Sequence, residues 1–269
     1  MITSNRNPTV RAAQELTKRR DRQLRQQFLI EGGRELRRAL GAEVVLDQLF
    51  VSPARLRRDD DIAVVETARA NGTTVIEVSD EVLAKLAYRA ETEPMVAVAS
   101  MFSTSLSRLR LPARPLILVM AEVEKPGNIG AMLRTAAAAG VDAVIVADPV
   151  ADVFNPNVVR ASVGALFTVA VAVASSDETM AWLARQGVAI MASSPDGGKP
   201  HWEVPLIGPS AIVVGAEHDG LSSVWLERAE GHLTIPMTDE PFSGADSMNV
   251  ATAAAVLLFE AIRQRSLPG

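Results

Sequence analysis

The chain of 269 residues contains no cysteine and only three histidines, His201, His218 and His232. Without cysteine there is no disulfide, no thiolate nucleophile and no zinc or iron–sulfur site built on sulfur ligands. The histidines fall outside HExxH or any comparable spacing, so no metal site is expected. Long apolar runs are missing as well. The most hydrophobic helix candidate, Val250 to Ile262, is far shorter than the roughly 20 residues of a membrane span and includes Glu260. No basic-then-apolar leader opens the sequence, and the expectation is a cytoplasmic protein without a membrane partner. The G-x-G-x-x-G fingerprint of nicotinamide-dependent oxidoreductases is also lacking, because Pro126-Gly127-Asn128-Ile129-Gly130 does not supply it.

What is present is a chain with 48% hydrophobic residues in which strand-like and helix-like segments alternate, the pattern of an α/β protein. Its charge is unevenly placed. The net value of −5 argues against a nucleic-acid partner, yet residues 1 to 114 carry 19 Lys and Arg against 15 Asp and Glu, while residues 115 to 269 carry 8 against 17. A basic front half suggests contact with a polyanion; a solvated helix face is the plainer alternative.

Residues 9 to 27 read as a polar helix rich in arginine, with Arg19, Arg20, Arg22 and Arg25 close together. Strands are expected at 28–30, 47–51, 74–78 and 94–101, with helices at 34–40, 62–70 and 81–88, giving an α/β unit over 1–102. Residues 103–114 mix Ser, Arg and Pro without an apolar period and read as a linker. In 115–269 strands at 116–121, 142–147, 167–173, 188–192, 211–215 and 233–235 alternate with helices at 129–139, 156–162, 177–186, 222–229 and 248–264. That alternation implies a mainly parallel sheet covered on both faces, with its loops converging on one edge.

Four loops in the second part are richer in glycine and polar groups than connections require. The first holds Asn128 and Gly130 and leads into Arg134 on an Ala-rich helix; the second is Asn155 to Gly164, with Arg160 and Ser162 in a short helical turn. The third is Gly215-Ala216-Glu217-His218-Asp219-Gly220-Leu221, directly after a buried strand. The fourth runs from Ile235-Pro236-Met237 to Ser247-Met248-Asn249-Val250 at the start of the last helix. Each alone has an ordinary reading: glycine turns, Ser247 as a helix cap, Arg134 on a solvated helix face. His201-Trp202 reads as a partly buried aromatic anchor, with a substrate-facing surface loop as the alternative.

Taken in order, the four loops resemble the SpoU (TrmH) family of the SPOUT class, AdoMet-dependent RNA ribose 2'-O-methyltransferases. The motif N-x-G-x-x-x-R corresponds to Asn128, Gly130 and Arg134; G-x-E-x-x-G-L to Gly215, Glu217, Gly220 and Leu221; and I-P-M with S-L-N-V to Ile235-Pro236-Met237 and Ser247-Met248-Asn249-Val250, with Met248 in place of Leu. The first hundred residues resemble, more loosely, the ribosomal-protein-like RNA-binding domain of many members, chiefly through Phe28-Leu29-Ile30-Glu31-Gly32. One departure is the spacing of 12 positions from Ile235 to Ser247, about four more than the family pattern, which adds residues within 238–246.

The resemblance implies a C-terminal trefoil knot, which no periodicity could reveal, a homodimer formed through the catalytic domain, and a substrate RNA, rRNA favoured over tRNA by analogy. It implies AdoMet held by Gly215, Ala216, Glu217, Gly220, Leu221, Ile235, Met237, Ser247, Asn249 and Val250. It also implies catalysis by Arg134, with Asn128 orienting Arg134 or the ribose, Glu217 shaping the cofactor loop, and Ser247 and Asn249 beside the target nucleotide. Arg160, Arg19, Arg20, Arg22 and Arg25 are the expected contacts to substrate phosphates. A guanidinium stays protonated in proteins, so Arg134 is expected to stabilise the developing alkoxide and grip a neighbouring phosphate rather than to take the proton. The competing reading is a non-catalytic RNA-binding or ribosome-associated protein, against which Arg134, Glu217 and Asn249 together stand.

Overall fold

The computed structural model of the protein describes residues 1–87, 93–195, 197–238 and 248–267. The chain forms two compact units, one of Met1–Phe102 with Asp152–Thr168, the other of Ser103–Ala151 with Val169–Gly269. No helix among the described residues is long and apolar enough to cross a membrane.

In the first unit α1 (Pro8–Glu15) and α2 (Arg19–Arg25) precede β1 (Gln27–Glu31), followed by α3 (Gly33–Gly41), β2 (Leu46–Val51), α4 (Asp59–Ala70), β3 (Thr74–Glu77), α5 (Asp80–Leu86) and β4 (Met95–Ser100). The strands form a sheet in the order β1-β4-β2-β3, antiparallel except for β2 beside β3. Asn7 caps α1 by accepting from the Thr9 amide, with Pro8 in the first turn where its missing N–H costs nothing. Val10, Ala13 and Leu16 of α1 and its end pack against Val82, Leu83 and Leu86 of α5 and against Val96 and Val98 of β4.

The single helix expected over 9–27 is therefore broken, and Arg22 is the reason. Its guanidinium donates to the carbonyls of Leu16 (2.9 Å) and Thr17 (2.8 Å), the groups that the end of α1 leaves without helical partners. It also pairs with Asp152 and is 1% exposed.

The second unit runs through β5 (Leu116–Ala121), α6 (Pro126–Ala139) and β6 (Ala143–Ala147); α7 (Pro156–Ala161) lies in the stretch assigned to the first unit. The second unit resumes with β7 (Val171–Ala174), α8 (Ser176–Gln186), β8 (Ala189–Ser193), β9 (Lys199–Pro200), β10 (Ser210–Val214), α9 (Ser223–Arg228), β11 (Gly231–Thr234) and α10 (Val250–Ser266). Its seven strands take the order β7-β6-β5-β10-β8-β11-β9, and every pair is parallel. The central strands β5, β6 and β10 are buried along their whole length, as a sheet covered on both faces demands. Because β10 lies beside β5 with Val214 opposite Met120, the turns that follow these two strands leave the same sheet edge as neighbours.

Helix α10 packs along α6 and is anchored at its far end. Arg265 donates to four backbone carbonyls, from Nε to Leu206 (2.9 Å), from Nη1 to Arg114 (2.9 Å), and from Nη2 to Pro115 (3.0 Å) and Gly208 (2.6 Å). Gln264 adds a pair to the same segment, accepting from the Leu206 amide and donating to the Val204 carbonyl.

Several stretches depart from the sequence reading. The strand expected at 167–173 is a 3-10 turn at Ala165–Phe167 and a later strand, β7, because Gly164 takes a left-handed conformation and Phe167 is drawn into the first unit. The linker expected at 103–114 contains a 3-10 turn at Leu106–Arg108; Leu109 is buried in the second core, with Leu106 and Leu111 against it. Its leucines follow no helical or strand period, which hid their burial. Trp202, read as a partly buried anchor, is 52% exposed, with the His201 ring edge-on at 4.8 Å. Helix α4 starts three residues early, on Asp59, Asp60 and Asp61, whose charges suit a helix N-terminus.

Replacing Arg265 by Ala should cost roughly 2–4 kcal/mol in urea unfolding, since four carbonyls lose a charged donor. Arg265→Lys should recover less than half, because one ammonium cannot spread over the same carbonyls. A loss below about 0.5 kcal/mol would show that water serves these carbonyls equally well.

Candidate active site

The turn after β10 is built by its glycines. A Cβ on Gly215 would lie 2.2 Å from the carbonyl carbon and oxygen of Gly220, so only glycine lets the two ends of the turn meet. They meet through a closed pair of hydrogen bonds, Ala216 N–H to the Gly220 carbonyl (2.9 Å) and Gly220 N–H to the Ala216 carbonyl (3.2 Å), with Gly220 at φ +68°. Leu221 packs its partly buried side chain against the core of the second unit.

This closure fixes Glu217 at the tip, and the carboxylate reaches the turn after β5. It accepts from the backbone amides of Glu124 (3.1 Å) and Lys125 (3.2 Å) and from Nδ2 of Asn128 (2.6 Å). Burial pushes the Glu217 carboxyl up, but the bonds from the Glu124 amide, the Asn128 side chain, its own amide and the Lys125 amide outweigh it and hold the group below its ordinary value. Oδ1 of Asn128 in turn accepts from Nδ2 of Asn249 at 3.3 Å. The Oδ1 atom of Asn249 caps α10 by accepting from the amides of Ala251 (3.0 Å) and Thr252 (3.4 Å). Three loops remote in sequence are thus joined in one chain, Glu217 to Asn128 to Asn249.

Arg134 lies on α6, exposed, and among the described residues no side chain or carbonyl pairs with it. Asn128 does not orient it. Six positions separate the two, which places them on different faces of a helix with 3.6 residues per turn, and the hydrogen bonds of Asn128 go to Glu217 and Asn249. Of the remaining residues expected to hold a cofactor, Ile235 and Val250 are partly buried and Met237 is 40% exposed. Ser247 and the longer loop within 238–246, except Thr238, lie outside the described residues.

The arginines of the first unit are sorted differently from the expectation. Arg22 is buried in a structural ion pair and cannot reach a phosphate, which corrects its reading as a substrate contact. The guanidinium of Arg25 is held by the Ala12 carbonyl (2.8 Å) and the Glu15 carboxylate. Arg19 and Arg20 are exposed on α2. Arg160 belongs to the first unit, with Nη2 donating to Oδ1 of Asn157 (3.2 Å); the Ser162 hydroxyl is buried and donates to the Val159 carbonyl. The backbone amides of Glu124 and Lys125 were beyond sequence reasoning, since nothing in residue type marks an amide as a partner for a carboxylate 93 and 92 positions away.

Comparison with known proteins divides the chain in sequence into two matches. The profile of the family described as SpoU rRNA Methylase matches residues 115–259, and that of the MRM3-like substrate binding domain matches residues 7–97. The chain is 29% identical over 258 residues to the 23S rRNA (guanosine(2553)-2'-O)-methyltransferase RlmP of Bacillus subtilis, covering 96% of this chain and 97% of that one. Among solved structures it resembles an RNA 2'-O ribose methyltransferase at 40% identity and a TM-score of 0.86, covering 99% of each chain. It also resembles the SpoU methyltransferase AviRb of Streptomyces viridochromogenes in complex with AdoMet, at 29% identity and a TM-score of 0.88, covering 97% of this chain and 98% of that one.

Glu217→Gln should lower stability by about 1 kcal/mol at neutral pH, since the amide keeps the shape but loses the charge-assisted bonds. Because the folded group titrates below its ordinary value, the wild-type advantage should be full above about pH 4.3 and fade as acid passes the lower folded value. Unfolding curves of both proteins between neutral pH and pH 3 check this; a pH-independent gap would sink it.

Proposed function

The chain belongs to the SpoU rRNA Methylase family, and from that premise we propose that it transfers a methyl group from AdoMet to a ribose 2'-hydroxyl of ribosomal RNA. The observation that carries this reading is the hydrogen-bonded junction of Glu217, Asn128 and Asn249, which gathers three motif loops at one edge of the parallel sheet, on the unit that bears the exposed Arg134. The choice of rRNA over tRNA rests on relatives such as RlmP, named for 23S rRNA.

The residues expected to hold AdoMet suit it. Gly215 lets the turn close on itself without a side chain, Leu221, Ile235 and Val250 offer partly buried apolar surface, and none of these or Met237 is cationic, which fits a donor without phosphate. When bound, AdoMet supplies an electrophilic methyl on a sulfonium. Arg134 stabilises the alkoxide that develops as the 2'-hydroxyl passes its proton to water, and its second nitrogen grips the adjacent phosphate, so the ribose oxygen is fixed in place. Glu217 and Asn128 are positioning residues that hold the turn after β5 against the turn after β10, and Asn249 ties both to the start of α10. The family motif assigns Ser247 to the target nucleotide, and Arg160, Arg19 and Arg20 bind phosphates of the same RNA.

The proposal includes the C-terminal trefoil knot, a cytoplasmic location and a homodimer. The half-exposed Phe259 on α10 supports an interface on that helix, and Phe259→Glu should shift sedimentation-equilibrium mass toward the monomer; an unchanged mass would remove α10 from the interface.

Replacing Arg134 by Ala should lower methyl transfer to unmodified ribosomal RNA by at least roughly a hundredfold, the scale of losing one transition-state donor. AdoMet affinity by calorimetry should change less than about threefold. Wild type should bind AdoMet and S-adenosylhomocysteine but not NAD. Methyl-labelled AdoMet with total RNA, followed by mapping of 2'-O-methyl stops, identifies the target; turnover surviving in Arg134→Ala would refute the assignment.

A further inference from the structure

Gly33, at the start of α3, plays no part in the methyl-transfer site, yet it lines a cavity of about 310 Å³ in the first unit. The floor of that cavity includes Asp61, which is 6% exposed and to whose carboxylate no described residue donates a hydrogen bond. No described residue satisfies this carboxylate, and the cavity it lines is where outside donors can reach it. Its seat is built by a glycine: a Cβ on Gly33 would lie 2.0 Å from Oδ1 of Asp61, so any larger residue would displace the carboxylate from the start of α3.

Above this acceptor stand arginines. Arg37 pairs with Asp60 at 2.8 Å and Arg58 stands 3.8 Å from the same carboxylate, which leaves Arg34, exposed in the first turn of α3, without an ion pair among the described residues. Val163 closes one wall in a left-handed conformation, φ 51°, that a β-branched residue rarely adopts.

These groups select a ligand. With Glu35, Asp60, Asp61 and Glu93 facing three arginines, a free phosphate would meet more acid than base. Among the described residues no three acidic or imidazole groups converge as a metal ion would need. A ligand that fits offers two adjacent donors to one carboxylate and acceptors beside them. Guanine has that edge, N1–H and N2–H next to O6 and N7, whereas adenine, cytosine and uracil offer no paired donors flanked by acceptors. Proteins that read single-stranded RNA take unstacked bases by such edges. We propose that this cavity receives an unstacked guanine of the substrate RNA, with Asp61 accepting from N1–H and N2–H and Arg34 donating to O6 or N7. The proposal rests on RNA being the substrate but not on the chemistry of the other unit.

The test uses fluorescence anisotropy of the full chain with short single-stranded RNAs carrying one guanosine, inosine or adenosine in a uridine context. Inosine lacks the N2 amine and should bind about tenfold more weakly than guanosine, as should adenosine, the scale of a bidentate base contact. Asp61→Asn, the same size, should reduce the guanosine preference to under about twofold. Arg34→Ala, at an exposed position, should weaken the guanosine and inosine oligonucleotides alike and keep their ratio, since both bases retain O6 and N7. Thermal melts establish that both variants are folded. The proposal is overturned if wild type does not distinguish guanosine from inosine, if folded Asp61→Asn still does, or if guanosine monophosphate alone binds as tightly as the oligonucleotide. Methyl transfer without guanosine preference would defeat this proposal alone; guanosine preference without methyl transfer to any RNA would defeat only the enzymatic reading.

Discussion

The carboxylate of Glu217 accepts from two backbone amides and from Asn128, and Asn128 accepts from the side chain that caps α10, so one charge fixes the turn after β5, the turn after β10 and the start of the last helix. The parallel register of β5 and β10 brings the two turns side by side, but a register alone leaves loops free to move. Closure of the turn between Ala216 and Gly220 limits where Glu217 can be. At the opposite end of α10, the Arg265 fork holds the helix to Arg114, Pro115, Leu206 and Gly208, so the helix is pinned at both termini by polar contacts rather than by its apolar face alone.

Much of this was legible in the sequence because the physics is local. Buried parallel strands read as continuous apolar runs, and Leu116 to Met120 and Ile212 to Val214 do so. Gly215, Gly220, Glu217 and Asn128 stood out as residues that ordinary connections do not need. What was not legible depends on contacts between distant positions. The leucines of 103–114 are buried by the second core without any repeat of their own, and the break between α1 and α2 is set by one arginine folding back on two carbonyls.

The arginine run shows the limit most plainly. On composition, Arg19, Arg20, Arg22 and Arg25 are one basic patch; in the fold, Arg22 is interior, Arg25 is tied to α1, and Arg19 and Arg20 are exposed on α2. Asp61 inverts the error. Three consecutive aspartates at a helix start look like dipole complement and nothing more, yet the third is buried under Gly33 because the chain there lacks a side chain.

The stretch Asp152–Thr168 sits between strands of the second unit in sequence but completes the first unit in space. Asp152 neutralises the interior Arg22, and Phe154 and Phe167 lie 4.9 Å and 6.2 Å from the ring of Phe28, with Phe102 in the same cluster. During synthesis, therefore, the leading hundred residues emerge with an uncompensated cation and an uncovered aromatic ring. Their partners follow only at residues 152 to 167, by which point β5, α6 and β6 of the other unit have already been made. The order of synthesis along the chain and the order of completion in space are interleaved, so the first unit cannot be complete before part of the second has been made.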